Sequence, residues 1–283
     1  MANQKLLEVF LNTKQILCRN DYYIYISKKV IHVTNSENMI PHLMGLQYIG
    51  RADMFTGDRG VYMIKKQRVK YESLEKLVRK YYHGQNKQDS ILAMVLGKIN
   101  NLHKIKDMLS TYSQLYLYDV TANPESGLKT DYLLVNQQKD MVLQLGMIKV
   151  DKNKTQEYHC NSFMVDYKVN ENYDLHYRNL TKCYEISKIV KKDKNTKCAV
   201  VIYQSSAAEK REKDGIRKML FQAGISADEK LISAVFGLNQ KFGEYHTFEM
   251  LKNSEMLLDK CHNEYEQMEV KEFINLWRYY PPK

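Results

Sequence analysis

The residues best suited to chemistry lie near the start of the chain, around His42. Ser36 is the predicted cap of a short helix, and His42 follows Pro41 at its beginning. The Gly-rich segment GRADMFTGDRG comes a few residues later and should form chain reversals that turn Arg51 and Arg59 toward the imidazole. Imidazole titrates near neutral pH and guanidinium groups bind phosphate, so this set predicts acid–base chemistry at a phosphate group. The alternative is a His42 that caps or packs the helix, with both arginines in solvent.

A second group of polar side chains occupies the segment YHCNSFMVDY, residues 158–167. Because side chains alternate along a strand, His159 and Ser162 face opposite sides, and only a β-bulge between them would bring both to one site. Lys129 and Tyr132, on the neighbouring predicted strand, alternate in the same way. The alternative is a solvent-facing His159 and a structural Ser162.

Motifs of several common enzyme classes are absent from the sequence. It contains no G-x-x-x-x-G-K-[ST], no G-x-G-x-x-G at a helix start, no H-E-x-x-H and no G-x-S-x-G, which excludes the usual ATP, dinucleotide, zinc-protease and esterase sites. Asp119 and Asp131 only loosely imitate the carboxylate cluster of a metal-dependent nuclease. The remaining basic, His, Tyr and Ser residues suit metal-free RNA cleavage, in which the ribose 2′-hydroxyl attacks the adjacent phosphate. We therefore expect no metal and no cofactor.

The charge of the chain indicates a partner rich in phosphate. The chain has 43 basic and 33 acidic residues, which give a formal net charge of +10. The segment KYESLEKLVRKYYHGQNK, residues 70–87, combines cations that can meet phosphates with tyrosines that can stack on bases. The cations that we expect to contact RNA are Arg51, Arg59, Lys65, Lys70, Arg79 and Lys80. The alternative for the basic segment is a solvated helix face with its tyrosines against the core.

The cysteines and the hydropathy indicate a cytoplasmic protein. Five cysteines are odd in number and widely scattered, without a C-x-x-C pair, which favours reduced thiols over disulfides or a structural zinc. No apolar segment is long enough to cross a bilayer, and the first residues lack the features of a secretory signal. We expect the cytoplasm of a bacterial host cell and no membrane partner.

Hydrophobic periodicity predicts an α+β fold, with N-terminal helices packed on an antiparallel sheet of four strands or more, followed by a helical C-terminal module. Helices are predicted over 4–18, 71–82, 89–112, 207–223, 227–243, 247–268 and 270–280. Strands are predicted over 22–26, 30–34, 61–64, 115–120, 128–136, 141–150, 158–167, 183–190 and 198–203. Short turn-forming linkers join the four strands between 115 and 167, which predicts an antiparallel meander. The predicted domains are residues 1–195 and 196–283.

Several segments, in this order along the chain, resemble the phage group of barnase–EndoU–colicin–RelE-like nucleases, over about residues 20–190. They are His42-Leu43-Met44-Gly45-Leu46, Gly60-Val61-Tyr62, the helix end 98–112, the strand 129–134, the strand 143–148 and Asn161-Ser162-Phe163. The resemblance implies a helical N-terminal part on a four-stranded antiparallel sheet. It also implies metal-independent endoribonuclease activity on tRNA or another cellular RNA, in toxin, phage or anti-phage settings. By this resemblance His42 and Ser162 are site positions, with Tyr62 and Tyr132 as weaker ones, while electrostatics adds Lys65 and Lys129.

Other functions remain open at this point. A cell-toxic ribonuclease would need an inhibitor or antitoxin as a partner. A second hypothesis is a catalytically inactive phage or host protein that binds and inhibits a nucleic-acid-dependent defence complex, and a third is a structural phage or scaffold protein. The apolar residues of the C-terminal helices would serve either as core or as the contact of a homodimer.

Overall fold

The computed structural model describes residues 6–27, 29–124, 126–151, 156–167, 180, 182–242, 258–259, 261 and 264–279. The chain divides into two compact units, residues 1–197 and 198–283. The helices of the first unit are α1 (Leu6–Leu17), α2 (Ile40–Leu43), α3 (Ala52–Phe55), α4 (Gly57–Lys65), α5 (Leu74–Tyr81), α6 (Gln88–Asn101) and α7 (Ile105–Ser110). Its strands are β1 (Asn20–Ile26), β2 (Lys29–Val33), β3 (Gln114–Leu117), β4 (Tyr132–Gln137), β5 (Met141–Lys149), β6 (Glu157–Tyr167), β7 (Lys182–Tyr184) and β8 (Ile186–Asp193). No described helix is both long and apolar enough to span a bilayer.

The strands of the first unit form one sheet in the order β7-β3-β4-β5-β6-β2-β1-β8. Its neighbouring strands are antiparallel except β2 and β6, which are parallel. The meander β3-β4-β5-β6 confirms the prediction made from the short linkers. The mixed α+β class and the helices before the meander are confirmed as well.

The sheet curls until its two edges meet. Only Glu185 separates β7, which pairs with β3, from β8, which pairs with β1. Since one residue spans at most roughly 3.5 Å, the two edges of the sheet must lie side by side. The strand predicted over 183–190 is therefore one bent strand whose halves pair with β3 and with β1, which gives the sheet a strong curl. We call this curled sheet the barrel.

Helices cover the end of the barrel at which β1 starts and β6 finishes. The Tyr22 hydroxyl of β1 donates to the carbonyl of Ile16 in α1 at 2.6 Å. The amide of Asn101 in α6 donates to the hydroxyl of Tyr167, the last residue of β6, at 3.0 Å. The fully buried core between helices and sheet includes Phe10, Ile24, Ile31, Leu43, Leu145 and Phe163. Burial of these large side chains is the main stabilisation of the first unit.

Two local predictions in the first unit are wrong. The segment 61–64 is not a strand but part of α4, in which Val61 and Ile64 share the buried face at helical spacing. A run of four apolar residues does not distinguish a buried strand from a helix, and only packing decided between them. The single helix predicted over 89–112 is divided by a 3₁₀ turn, Leu102–Lys104, into α6 and α7.

The second unit starts with a strand, β9 (Ala199–Gln204), and continues with α8 (Ser206–Gln222), α9 (Glu229–Phe242) and α10 (Glu264–Trp277). The Ser205 hydroxyl caps α8 by accepting from the backbone N–H of Ala208. The buried core of this unit includes Leu220, Leu231, Val235, Val270 and Phe273. The helix predicted over 247–268 lies largely outside the described residues, and α10 runs through the predicted break near residue 269.

Candidate functional site

His42 lies on α2, which directly follows a 3₁₀ turn, Glu37–Met39. The other three residues of α2 are buried in the core, whereas His42 is half-buried on the side of the helix that faces away from the core. Pro41 occupies the first turn of α2, as expected, because its fixed φ suits a helix start. Ser36 directly precedes the 3₁₀ turn but makes no side-chain cap, which differs from the prediction; its hydroxyl donates to Oδ1 of Asn38 at 2.5 Å.

Lys98, on α6, lies beside His42. Its side chain is only 4% exposed, and its Nζ lies 5.5 Å from the ring centre of Tyr48. Gly45, the second residue after α2, adopts a left-handed conformation with φ of 79°, and a Cβ there would lie 3.0 Å from Cδ of Lys98. Glycine is needed at this position both for its backbone conformation and for the close approach of the lysine chain.

The burial of this pair changes the protonation of both groups. Burial lowers the pKa of His42 below its usual 6.5, and the nearby charge of Lys98 lowers it further. Burial also lowers the pKa of Lys98 to about 8, although the charge of Asp166 opposes this shift. Within the described part of the chain, Nζ of Lys98 has neither a hydrogen-bond acceptor nor an ion-pair partner. Burial therefore has the largest effect on the protonation of this lysine.

Such a pair has the properties of an acid–base site. A neutral imidazole can accept a proton at neutral pH, and a lysine with a pKa of about 8 can hold or release one there. Displaced pKa values of neighbouring groups cluster at functional sites. Sequence reasoning missed Lys98, although its position carries a signal: it occupies one place in the apolar stripe Ile91, Val95, Lys98, Leu102, Ile105.

The arginines and Lys65 of the predicted cleft are exposed and partly neutralised. Arg51 pairs with Asp53 at 2.9 Å, and Arg59 is exposed on α4. Lys65 pairs with Glu37 at 2.7 Å. Glu37 also binds Lys14 of α1 at 2.6 Å, so it links α1 and α4 to the turn that precedes His42. Lys65 therefore helps to position α2.

The basic segment forms α5 with a 3₁₀ turn before it, and its cations point outward. Leu74 and Val78 are buried, whereas Lys70 and Lys80 are exposed. Arg79 forms ion pairs with Glu75 at 2.8 Å and with Asp89 at 3.3 Å, which leaves less of its charge for a nucleic acid. RNA contact along this helix stays a prediction.

A β-bulge lies between His159 and Ser162, as the sequence argument required for a shared site. The register leaves Asn161 as the extra residue between the pairs Gly146–Ser162 and Met147–Cys160. His159 and Ser162 therefore lie on the same face of β6. Burial lowers the pKa of His159, and Ser162 is 8% exposed.

This face of β6 is not the one on which the helices pack. Tyr167 contacts Asn101 of α6, and the register places Tyr167 on the opposite face from Ser162. His42 and Lys98 lie on the helical side. The structure therefore does not gather His42 and Ser162, the two positions implied by the family resemblance, into one cluster.

The remaining predicted residues lie elsewhere. Tyr62 is 44% exposed on α4 with its ring 5.0 Å from the guanidinium of Arg68. Lys129 is exposed ahead of β4, and its carbonyl accepts from the amide of Asn161. Tyr132 starts β4 at the barrel end away from the helices.

The family comparison agrees with this α+β fold. A family model described as PBECR4, phage-Barnase-EndoU-ColicinE5/D-RelE like nuclease4, matches residues 5–208. The chain belongs to this family of nucleases. No curated protein and no solved structure is significantly similar to it. The matched region of this PBECR nuclease contains the barrel, the helical layer and the His42–Lys98 pair. Among its described residues, no three His, Cys, Asp or Glu side chains are grouped as metal ligands.

Proposed function

We propose that this PBECR nuclease is a metal-independent endoribonuclease that cleaves cellular RNA, tRNA included, with His42 as base and Lys98 as acid. The observation that carries the proposal is the Lys98 ammonium: nearly buried, without an acceptor among the described residues, and next to a half-buried imidazole. The lowered pKa of His42 keeps its imidazole neutral and able to accept a proton, and the pKa of about 8 lets Lys98 donate one. The family match supports nuclease chemistry, and the net charge of +10 supports a nucleic-acid substrate.

The reaction uses the ribose 2′-hydroxyl as nucleophile. Neutral His42 removes its proton, and the 2′-oxygen forms a bond to the adjacent phosphorus. The bond from phosphorus to the 5′-oxygen breaks, and Lys98 donates a proton to that leaving oxygen. The products are a 2′,3′-cyclic phosphate and a free 5′-hydroxyl. The charge of Lys98 also stabilises the negative charge that builds on the phosphoryl oxygens, a contribution that is large in a water-excluded site.

The setting that we propose is the cytoplasm of a bacterial cell, in phage attack or in defence against phage. Cleavage of cellular RNA would be toxic there, so we propose a protein inhibitor as a partner.

Purified protein incubated with total tRNA in the presence of a chelator tests this proposal. We expect fragments with cyclic-phosphate ends and no cleavage of an RNA that has 2′-deoxyribose at the cleavage position. His42→Ala and Lys98→Met should each reduce the rate by about 10²–10⁴-fold, the usual contribution of an acid or base. Exposed neighbours provide matched controls, because His103→Ala and Lys106→Met should keep full activity. Intact tRNA, or full activity of His42→Ala, would refute the proposal.

A second candidate is an inactive member of the family that binds and inhibits a nucleic-acid-dependent defence complex. One observation favours it: His42 and Ser162 lie on different faces of the structure. The same His42→Ala variant separates the candidates, since an inhibitor would keep its full biological effect without the imidazole.

A further inference from the structure

A cluster of one lysine and three tyrosines lies at the barrel end that is away from the helices. Lys29 begins β2, Tyr132 begins β4, Tyr158 is the second residue of β6 and Tyr184 is the last residue of β7. The ring centres of Tyr132 and Tyr158 are 5.5 Å apart, and those of Tyr132 and Tyr184 are 6.3 Å apart. We call these four residues the tyrosine–lysine cluster. The register places them on the same face of the sheet, toward the inside of the barrel.

Hydrogen bonds organise the polar groups of the cluster around one ammonium. Nζ of Lys29 donates to the hydroxyl of Tyr132 at 2.8 Å and to that of Tyr158 at 3.4 Å. Burial acts to lower the pKa of Lys29, but the hydrogen bonds to both tyrosines raise it above its usual 10.5. Lys29 is therefore a full cation at neutral pH.

Three hydrogens of this arrangement have no acceptor among the described residues. An ammonium carries three hydrogens, and two of those on Lys29 go to the tyrosines. Each phenol oxygen accepts from Lys29 and so retains its own O–H for donation. Tyr132 and Tyr158 are only 5% and 4% exposed, so water can satisfy these hydroxyls only at the barrel mouth. The three donors converge at the barrel mouth, so one ligand with several acceptor oxygens can accept from all of them.

We propose that the tyrosine–lysine cluster is a second, phosphate-binding site, separate from the His42–Lys98 pair and independent of its proposed role. A phosphate group offers several acceptor oxygens and negative charge, which match two hydroxyl donors and one ammonium. Lys182 lies at the same mouth with Nζ 5.2 Å from the Tyr184 ring and adds positive charge. One carboxylate, Asp131, lies near Tyr158, but one of its oxygens accepts from the backbone N–H of Lys149 at 2.7 Å. The phosphate is that of a free nucleotide or of an RNA end.

Titration of the wild-type protein, with tyrosines labelled at ¹³Cζ, tests the site without any variant. The probes are inorganic phosphate, uridine 3′-monophosphate and a 3′-phosphorylated oligonucleotide of 2′-deoxyribose, which the proposed ribonuclease cannot cleave. We expect saturating shifts of at least two tyrosine signals with phosphate up to about 10 mM, well above a dissociation constant of about 1 mM. Tighter binding of the nucleotide than of the oligonucleotide indicates a free nucleotide, and the reverse order indicates a nucleic-acid end. No tyrosine shift with any probe overturns the proposal.

Variants then assign the shifts to the cluster. Lys29→Met should abolish phosphate binding, and Tyr132→Phe, which removes one donor and keeps the ring, should weaken it at least about tenfold. Lys188→Met is the matched control, because Nζ of Lys188 lies 5.4 Å from the ring of Tyr25 on the other face of the sheet. We expect wild-type phosphate binding in this control. Wild-type phosphate binding in Lys29→Met would show that the phosphate binds elsewhere and would overturn the assignment. The cleavage activity of His42→Ala tests the proposed ribonuclease site and has no bearing on this phosphate site.

Discussion

Replacing Lys98 by methionine removes a buried charge while keeping an unbranched side chain of similar length. Burial lowers the pKa of Lys98 from 10.5 to about 8. A difference of about 2.5 pKa units corresponds to roughly 3 kcal/mol by which the fold disfavours the charged form. The lysine is charged at neutral pH in both folded and unfolded chains, so the native state carries this cost. We therefore expect Lys98→Met to raise the free energy of unfolding at about pH 7 by about 1–3 kcal/mol, while cleavage is lost.

The stability difference between Lys98→Met and the wild type should also change with pH. Between about pH 8 and pH 10.5, unfolded chains hold a proton on Lys98 that folded chains have released. Stability rises with pH wherever the unfolded state binds more protons, so the wild type gains stability in this window. The variant has no such group. Its advantage over the wild type should shrink by about 2 kcal/mol between about pH 8 and pH 9.5.

Urea unfolding followed by circular dichroism measures both effects. The difference between variant and wild type is the useful quantity, because cysteines and tyrosines that titrate at high pH contribute equally to both proteins. Lys106→Met, at an exposed position, should change stability by less than about 0.5 kcal/mol. If Lys98→Met is less stable than the wild type at neutral pH, and the difference does not vary with pH, the account of Lys98 as an unpaired buried cation is incorrect.

Three further predictions concern the same region and its relation to β6. In a rate–pH profile, the cleavage rate should rise with pH through the lowered pKa of His42 and fall as Lys98 deprotonates near pH 8. The Lys98→Arg variant should lack the fall at high pH, because arginine stays protonated. Gly45→Ala should destabilise the protein by more than about 1 kcal/mol in thermal unfolding, and by more than Gly84→Ala, which has a similar φ but no atom within 4 Å of the added methyl. Ser162→Ala should leave the rate of tRNA cleavage unchanged, because Ser162 lies on the sheet face away from His42; a large loss would support the family resemblance instead.

Local patterns predicted most elements of the first unit. Turn-forming linkers of a few residues can join only adjacent antiparallel strands, so the meander β3-β4-β5-β6 followed from chain geometry. The apolar spacing of α1 and the proline before His42 predicted their helices for equally local reasons. The segment 61–64 was misassigned because four apolar residues fit a strand and a helix alike.

Local patterns predicted only part of the candidate site. The sequence identified His42, which it grouped with Arg51 and Arg59 and not with Lys98. It also stated the condition, a β-bulge, under which His159 and Ser162 share a face. It could not show that this face is turned away from the helices, because side-chain direction depends on the register of β5 and β6.

The sequence by itself determined the α+β class, the meander, the helix that carries His42 and the basic surface, since these depend on neighbours a few residues apart. Only the tertiary structure decided that Lys98 is buried beside His42, that β7 and β8 curl the sheet, and that Lys29 meets tyrosines of β4 and β6. Each of these is a contact between segments distant in the chain, and burial and pKa follow from such contacts alone.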